Sequence, residues 1–387
     1  MQTKQSKTTI YLLTAGCFLA FFVFGFTDNL KGPTLPAMLA ELHFDYGVGG
    51  NIFFGEYLGF LIATLITGIL ADKFGLKAVM LMAGAALVIG VSGYSGFDSA
   101  FLLWISLFIV GMGLGALELG PNAIIVNLHH ERKGLFLNLM SVLHGLGSMV
   151  APLFASWLFT LDISWRTVYR WDLPLIAFFI LIFLFLRFPK SEEQTRLDFR
   201  EIPRVAFKGQ LPLFHIAIAA YVAAEIGMAS WLVTFLQQAR GQDVTASNQA
   251  LSLFFALLML GRFIGGFVVN RIGYLRSILI ATLGAIASVV IGLFGTGNLV
   301  YFLPVTGFFF SIIFPTITAA ASDLRTEKIN TVLGVLFTFA GLGGLIGPFL
   351  IAWGSEIFNL QIGFALNIVL LVVLLVSISQ LMRGQKQ

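Results

Sequence analysis

Two polar residues sit where an apolar helix should have none. The stretch Phe21-Phe22-Val23-Phe24-Gly25-Phe26-Thr27-Asp28-Asn29 places a carboxylate and an amide at the end of a long hydrophobic run. An ionised acid at lipid depth is costly unless it is protonated, paired or turned toward water, so Asp28 is a candidate for proton or ion chemistry. It either does that work or caps a helix broken at Gly32-Pro33. Further polar residues interrupt other apolar runs: Glu56 beside Tyr57, Glu118 with Asn122, Asn138 and His144, Glu225, and Arg262. Glu118 and Asn122 are four apart and share one helix face. Glu225 and Arg262 read equally as a coupling site or as a structural ion pair between helices. Glu56 either joins the site or lies near outer water.

The elements that hold these groups follow from composition. The chain has 387 residues, 58% hydrophobic and 11% charged, with a mean hydropathy of +0.93. Soluble domains carry about 25% charged residues, so this chain is a membrane protein. The net charge of +4 is spread over short loops and is no nucleic-acid signal. Cys17 is the single cysteine, so neither an internal disulfide nor a cysteine metal cluster is available. No metal-ligand spacing, nucleotide loop or nucleophile motif stands out, and no loop is long enough for a catalytic domain; no cofactor is expected.

A helix needs about 20 apolar residues to cross a bilayer. Runs of that scale begin near Ile10, Asn51, Ala78, Phe101, Leu135, Leu173, Leu211, Ala250, Ser277, Asn298, Thr331 and Leu360. Twelve spans are predicted, with a polar cytoplasmic linker over 190–209 separating a six-helix unit at 1–189 from another at 210–387. Counting Lys and Arg gives 18 on the even connections and the termini. The odd connections have four: Lys31, Arg166, Arg170 and Arg240. That bias places both termini in the cytoplasm. Lys31 is taken here as a loop residue, which leaves Arg262 as the cationic counterpart of Asp28.

The halves repeat. Gly145-Leu-Gly-Ser-Met-Val-Ala-Pro152 matches Gly341-Leu-Gly-Gly-Leu-Ile-Gly-Pro348, 196 residues on. Gly68-Ile-Leu-Ala-Asp72-Lys73-Phe-Gly75 matches Gly266-Phe-Val-Val-Asn270-Arg271-Ile-Gly273, 198 on. Asp28 and Glu225 are 197 apart. Three features at nearly one offset indicate a duplicated six-helix unit, the layout of the major facilitator fold.

Gly68-Ile-Leu-Ala-Asp72-Lys73-Phe-Gly75-Leu-Lys77 resembles the loop signature of the major facilitator superfamily between its second and third helices. In such a loop Gly68 would let helices approach, Asp72 would cap or pair with a helix end, Gly75 would turn the chain, and Lys73 and Lys77 would hold it at the cytoplasmic face. The resemblance implies that the loop latches one conformational state. Gly113-Leu-Gly-Ala-Leu-Glu118-Leu-Gly-Pro-Asn122, Tyr221-Val-Ala-Ala-Glu225-Ile-Gly, Gly261-Arg262-Phe-Ile-Gly265-Gly266 and Phe314-Pro315-Thr316 resemble the fucose–galactose–glucose:proton symporter branch.

That resemblance implies an all-α membrane protein of two pseudo-symmetric six-helix bundles. It implies proton-coupled symport of a small neutral sugar across the cell membrane, a bacterial inner membrane, and a monomer. Asp28 and Glu118 would bear on proton coupling and sugar recognition. A sugar site needs hydrogen-bonding groups for hydroxyls and an aromatic face for the ring. Asn29, Glu56, Tyr57, Asn122, Asn138 and His144 would supply the first, Trp231 and Phe26 the second. The alternative is a proton-driven exporter of a drug-like or siderophore-like molecule. Exporters of this fold usually carry an Arg in the fourth helix, and the run Phe101 to Asn127 has none. If Asp28 couples protons, Asp28→Asn abolishes uphill accumulation and leaves exchange intact. Accumulation that survives the substitution removes Asp28 from that role.

Overall fold

The computed structural model describes residues 7–129, 132–186, 188, 207–323 and 329–384. Among these residues, twelve helical segments are long and apolar enough to cross a membrane. In order they are Thr9–Leu42, Tyr46–Phe74, Leu76–Tyr94, Ala100–Leu128, Leu135–Phe159, Trp165–Phe185, Leu211–Ala239, Val244–Gly265, Tyr274–Phe294, Gly297–Asp323, Val332–Ile357 and Leu360–Gly384. The expected linker falls mostly on residues outside the described set. The chain forms two compact units, Met1–Leu42 with Gly55–Gln194, and His43–Phe54 with Thr195–Gln387.

The first span, at 34 residues, is the longest. It is two helices, Lys7–Asp28 and Lys31–Leu42, joined at Asn29-Leu30. Pro33 stands in the first turn of the second piece, where its missing N–H is tolerated and its fixed φ suits the restart. Lys31 is therefore part of the span and not of a connection, which corrects the loop reading. The sixth span also starts earlier than expected, at Trp165. Arg166, Arg170 and Asp172 make its first turns look like a loop, although Trp165, Val168 and Tyr169 are buried.

Within each unit the spans meet at glycines. A Cβ on Gly147 would stand 2.4 Å from the Phe22 carbonyl oxygen, and one on Gly343 would stand 2.2 Å from that of Ala219. Gly111 would meet the Glu56 carbonyl at 1.9 Å, and Gly307 that of Phe254 at 2.1 Å. Without a hydrophobic drive between helices in lipid, such close backbone packing is a principal source of association. These paired contacts keep the 196–198 spacing of the sequence repeat, so each half folds on the same four-point scaffold.

Two turns repeat as well. Gly75 (φ 82°) ends the second span and opens the third, and Gly273 (φ 88°) does the same after the eighth. Both need the left-handed region that glycine enters without steric cost. The close helix approach expected at Gly68 is absent, because nothing lies within 4 Å of a Cβ built there. Gly147→Ala is therefore expected to lower stability by about 1–3 kcal/mol through overpacking, whereas Gly68→Ala leaves it unchanged or slightly higher. Thermal unfolding of the two variants in detergent, followed by tryptophan fluorescence, checks the contrast.

Candidate functional site

The break in the first span assembles three charges. Lys31 Nζ donates to Asp28 Oδ1 at 2.5 Å and to Glu56 Oε2 at 2.8 Å. The lysine and Glu56 side chains are each 4% exposed and Asp28 is 13% exposed. The ammonium also lies 4.4 Å from the centroid of the Tyr57 ring, a cation–π contact. Asp28 is thus paired with an ammonium, not used as a backbone cap, and its cation is Lys31 rather than Arg262. The sequence reading missed Lys31 because Lys-Gly-Pro looks like a turn. The signal that could have found it is the apolar Leu35, Met38 and Leu39 continuing beyond it at helical spacing.

The surrounding packing fixes the cluster. Gly111 brings the fourth span against the backbone of Glu56. Thr34 donates to the Leu30 carbonyl at 2.7 Å and closes the helix restart. Tyr94 and Tyr169, both buried, meet edge-on at 4.8 Å between centroids. The Tyr94 hydroxyl donates to Met38 Sδ at 3.0 Å. At the far end of the second helical piece, Glu41 accepts from Trp165 Nε1 and Arg166 Nε, each at 2.8 Å.

Asn29 serves the frame. Its amide donates to the Gly25 carbonyl and to Ser148 Oγ, both at 2.9 Å, tying the break to the fifth span. His144, on that span, sits edge-on to Phe24 at 4.7 Å. Thr27 donates to Asp172 Oδ2 at 2.8 Å. Asp172 is fully buried and its Oδ1 has no partner among the described residues. The sequence reading begins the sixth run near Leu173 and does not single out that acid.

The remaining expected residues are more dispersed. Glu118 lies seven residues beyond Gly111, two turns or about 10 Å along the fourth span from the level of Glu56. Asn122 donates to the Glu118 carbonyl at 2.6 Å. Asn138 is exposed on the fifth span. In the second unit Glu225 is hydrogen-bonded by Tyr221 and lies in the field of Arg262, which is exposed. Trp231 is fully buried, and its Nε1–H donates to the Pro348 carbonyl at 3.0 Å. In the loop signature Asp72 and Lys73 are exposed, while Lys77 Nζ donates to the Leu184 and Leu186 carbonyls at 2.7 and 3.0 Å, capping the end of the sixth span.

The charged triad has no copy in the second unit. At the matching spacing Lys31 becomes Met228 and Glu56 becomes Phe254, both fully buried. The two units thus share a backbone plan but differ in the charges they carry, and comparison with known proteins shows the family. The Major Facilitator Superfamily model matches residues 17–348, and again 243–384. The chain belongs to the Major Facilitator Superfamily. It is 26% identical over 391 residues to the glucose/galactose transporter of Brucella abortus, covering 95% of this chain and 93% of that one. Among solved structures it is similar to a variant of the nucleoside transporter NupG, with TM-score 0.82, 16% identity and coverage of 96% and 99%. It is also similar to the E. coli fucose:proton symporter FucP, with TM-score 0.65, 20% identity and coverage of 96% and 99%. At those identities the two structures speak for the fold alone. As a member of this superfamily the chain is a multi-pass secondary transporter and not an enzyme.

Removing the ammonium would strand two carboxylates in a closed site. Lys31→Met is expected to destabilise the transporter by about 3–5 kcal/mol. The triple variant Lys31→Met, Asp28→Asn, Glu56→Gln recovers most of that loss. Chemical unfolding of the three-membered series in detergent checks it, and a single variant as stable as the parent would show that the triad is not coupled.

Proposed function

We propose that the protein carries a small neutral sugar, a hexose or deoxyhexose, into the cell together with protons by alternating access. The observation that carries this reading is one ammonium shared by two carboxylates, Glu56 buried and Asp28 half-buried. With all three ionised, the cluster holds one uncompensated negative charge in a low-dielectric place, which is costly. A proton on Asp28 or Glu56 removes it. Whichever acid keeps its charge keeps Lys31, so proton arrival changes which of the first two spans the ammonium holds. Neutralising the cluster lowers the cost of closing the site around a solute, and deprotonation on the other side reverses the change.

The sugar reading is supported by the named activity of the Brucella relative and by the polar set on the first, fourth and fifth spans. Asn122, Asn138 and His144 would meet hydroxyls, with Glu118 as a third acid deeper in the path. Glu225 and Arg262 would be the coupling pair of the second unit. Gly68, Asp72, Lys73, Gly75 and Lys77 would form the latch of the family loop. The protein would work as a monomer in a bacterial inner membrane with both termini cytoplasmic.

The test is uptake of radiolabelled glucose, galactose and fucose, with uridine alongside, into proteoliposomes under an inward proton gradient. We expect accumulation of a sugar that a protonophore abolishes. Glu56→Gln should lower accumulation at least tenfold while counterflow exchange persists. Accumulation of uridine alone, or no accumulation of any solute by folded protein, would refute the sugar symport reading. Extrusion from intact cells in place of uptake would favour the exporter.

A further inference from the structure

The second unit carries an apolar groove that the transport reading does not use. The helix Val244–Ile272 lines one side from Gly261 to Ile272, the ninth span lines another at Ile280 and Ala281, and Phe309 and Ile312 of the tenth form the floor. Its volume is about 130 Å³. Glycine shapes it: a Cβ on Gly265 would stand 1.9 Å from Ile312 Cγ2, so the tenth span lies directly on the backbone of the eighth. The two hydroxyls in the wall are already spent. Ser277 donates to the Gly273 carbonyl at 2.7 Å and Ser311 to the Phe308 carbonyl at 2.6 Å. The wall therefore offers carbon to an occupant, and an apolar cavity of this scale takes hydrocarbon rather than water.

The groove has a length and a charged end. From Gly261 to Ile272 the helix rises about 16 Å, close to half of a hydrocarbon core about 30 Å thick. One leaflet's acyl chain has that reach. Beyond Ile272 the chain turns at Gly273; Arg271 adjoins the lining residue Ile272 in sequence, and Arg276 adjoins the lining residue Ser277. Both are exposed, and neither makes a hydrogen bond or ion pair with a protein group among the described residues. Tyr274, also at the surface, stands between them in sequence. Cations beside a membrane helix attract anionic headgroups.

We propose that this groove is a binding site for an anionic phospholipid, with one acyl chain along Gly261–Ile272 and the phosphate between Arg271 and Arg276. The rise of the helix beside the groove matches the reach of one acyl chain, and the two cations next to Ile272 and Ser277 would select the headgroup. Val268, exposed on the rim, stands where the chain would pass.

Native mass spectrometry of the full chain in a mild detergent, titrated with phosphatidylglycerol or phosphatidylcholine, tests the assignment. The expected result is binding of phosphatidylglycerol on the order of tenfold tighter. Arg271→Gln with Arg276→Gln should remove that preference. Val268→Phe should weaken both lipids, because it fills the groove without touching the arginines. Arg383→Gln, an exposed cation at the end of the twelfth span, should keep the preference. Equal affinity for the two lipids, a preference that survives the double variant, a preference lost equally in Arg383→Gln, or unchanged binding by Val268→Phe would each overturn the site.

Discussion

The ammonium of Lys31 is the fixed point of the first unit. It is placed at the only joint in the first span, within hydrogen-bonding distance of one acid on its own span and one on the next. Every local feature around it serves that placement. Pro33 starts the second helical piece just beyond it, Asn29 anchors the joint to Ser148, and Gly111 presses the fourth span onto the backbone that carries Glu56. Such a cluster gives little net stability, since desolvating three charges offsets most of their attraction. Under the proposed coupling its significance is conformational, because the hold between two spans would depend on which acid is charged.

The glycine contacts explain how a duplicated chain can keep its architecture while its chemistry diverges. Gly147 and Gly343, or Gly111 and Gly307, act on backbone carbonyls and are indifferent to the side chains those residues carry. Glu56 and Phe254 are held by the same contact although one is an acid and the other an aromatic. Small residues at helix crossings set the scaffold, and the side chains beside them are free to specialise.

Much of this was legible in the sequence, for identifiable reasons. Hydropathy runs and the two glycine repeats depend on local composition, and they gave twelve spans and the duplication. Asp28, Glu56 and Tyr57 were singled out because an acid in an apolar run is conspicuous. Lys31 and Asp172 were not, because each lies where the apolar run pauses, and a charge at a pause reads as a loop. Only tertiary packing turns those pauses into interior positions: the 34-residue first span bends at one, and the sixth span starts seven residues before the other. Gly68 erred in the opposite direction, since a glycine in a helix suggests contact and here faces open space. Trp231 looked like a platform for a ring, yet it is wholly enclosed with its N–H committed to Pro348.

The cap that Lys77 places on the sixth span has a mechanical meaning. The Leu184 and Leu186 carbonyls lie at the C-terminal end of the sixth span, and one ammonium grips both. That end is tethered to the start of the third span instead of being left to fray. A pull transmitted along the chain from beyond residue 186 is borne across two helices, by a charged clamp at the third span's first turn, and the sixth span is spared from unwinding. The sixth span therefore ends in a load-sharing anchor, and the residue that anchors it belongs to the glycine-turn signature that follows the second span.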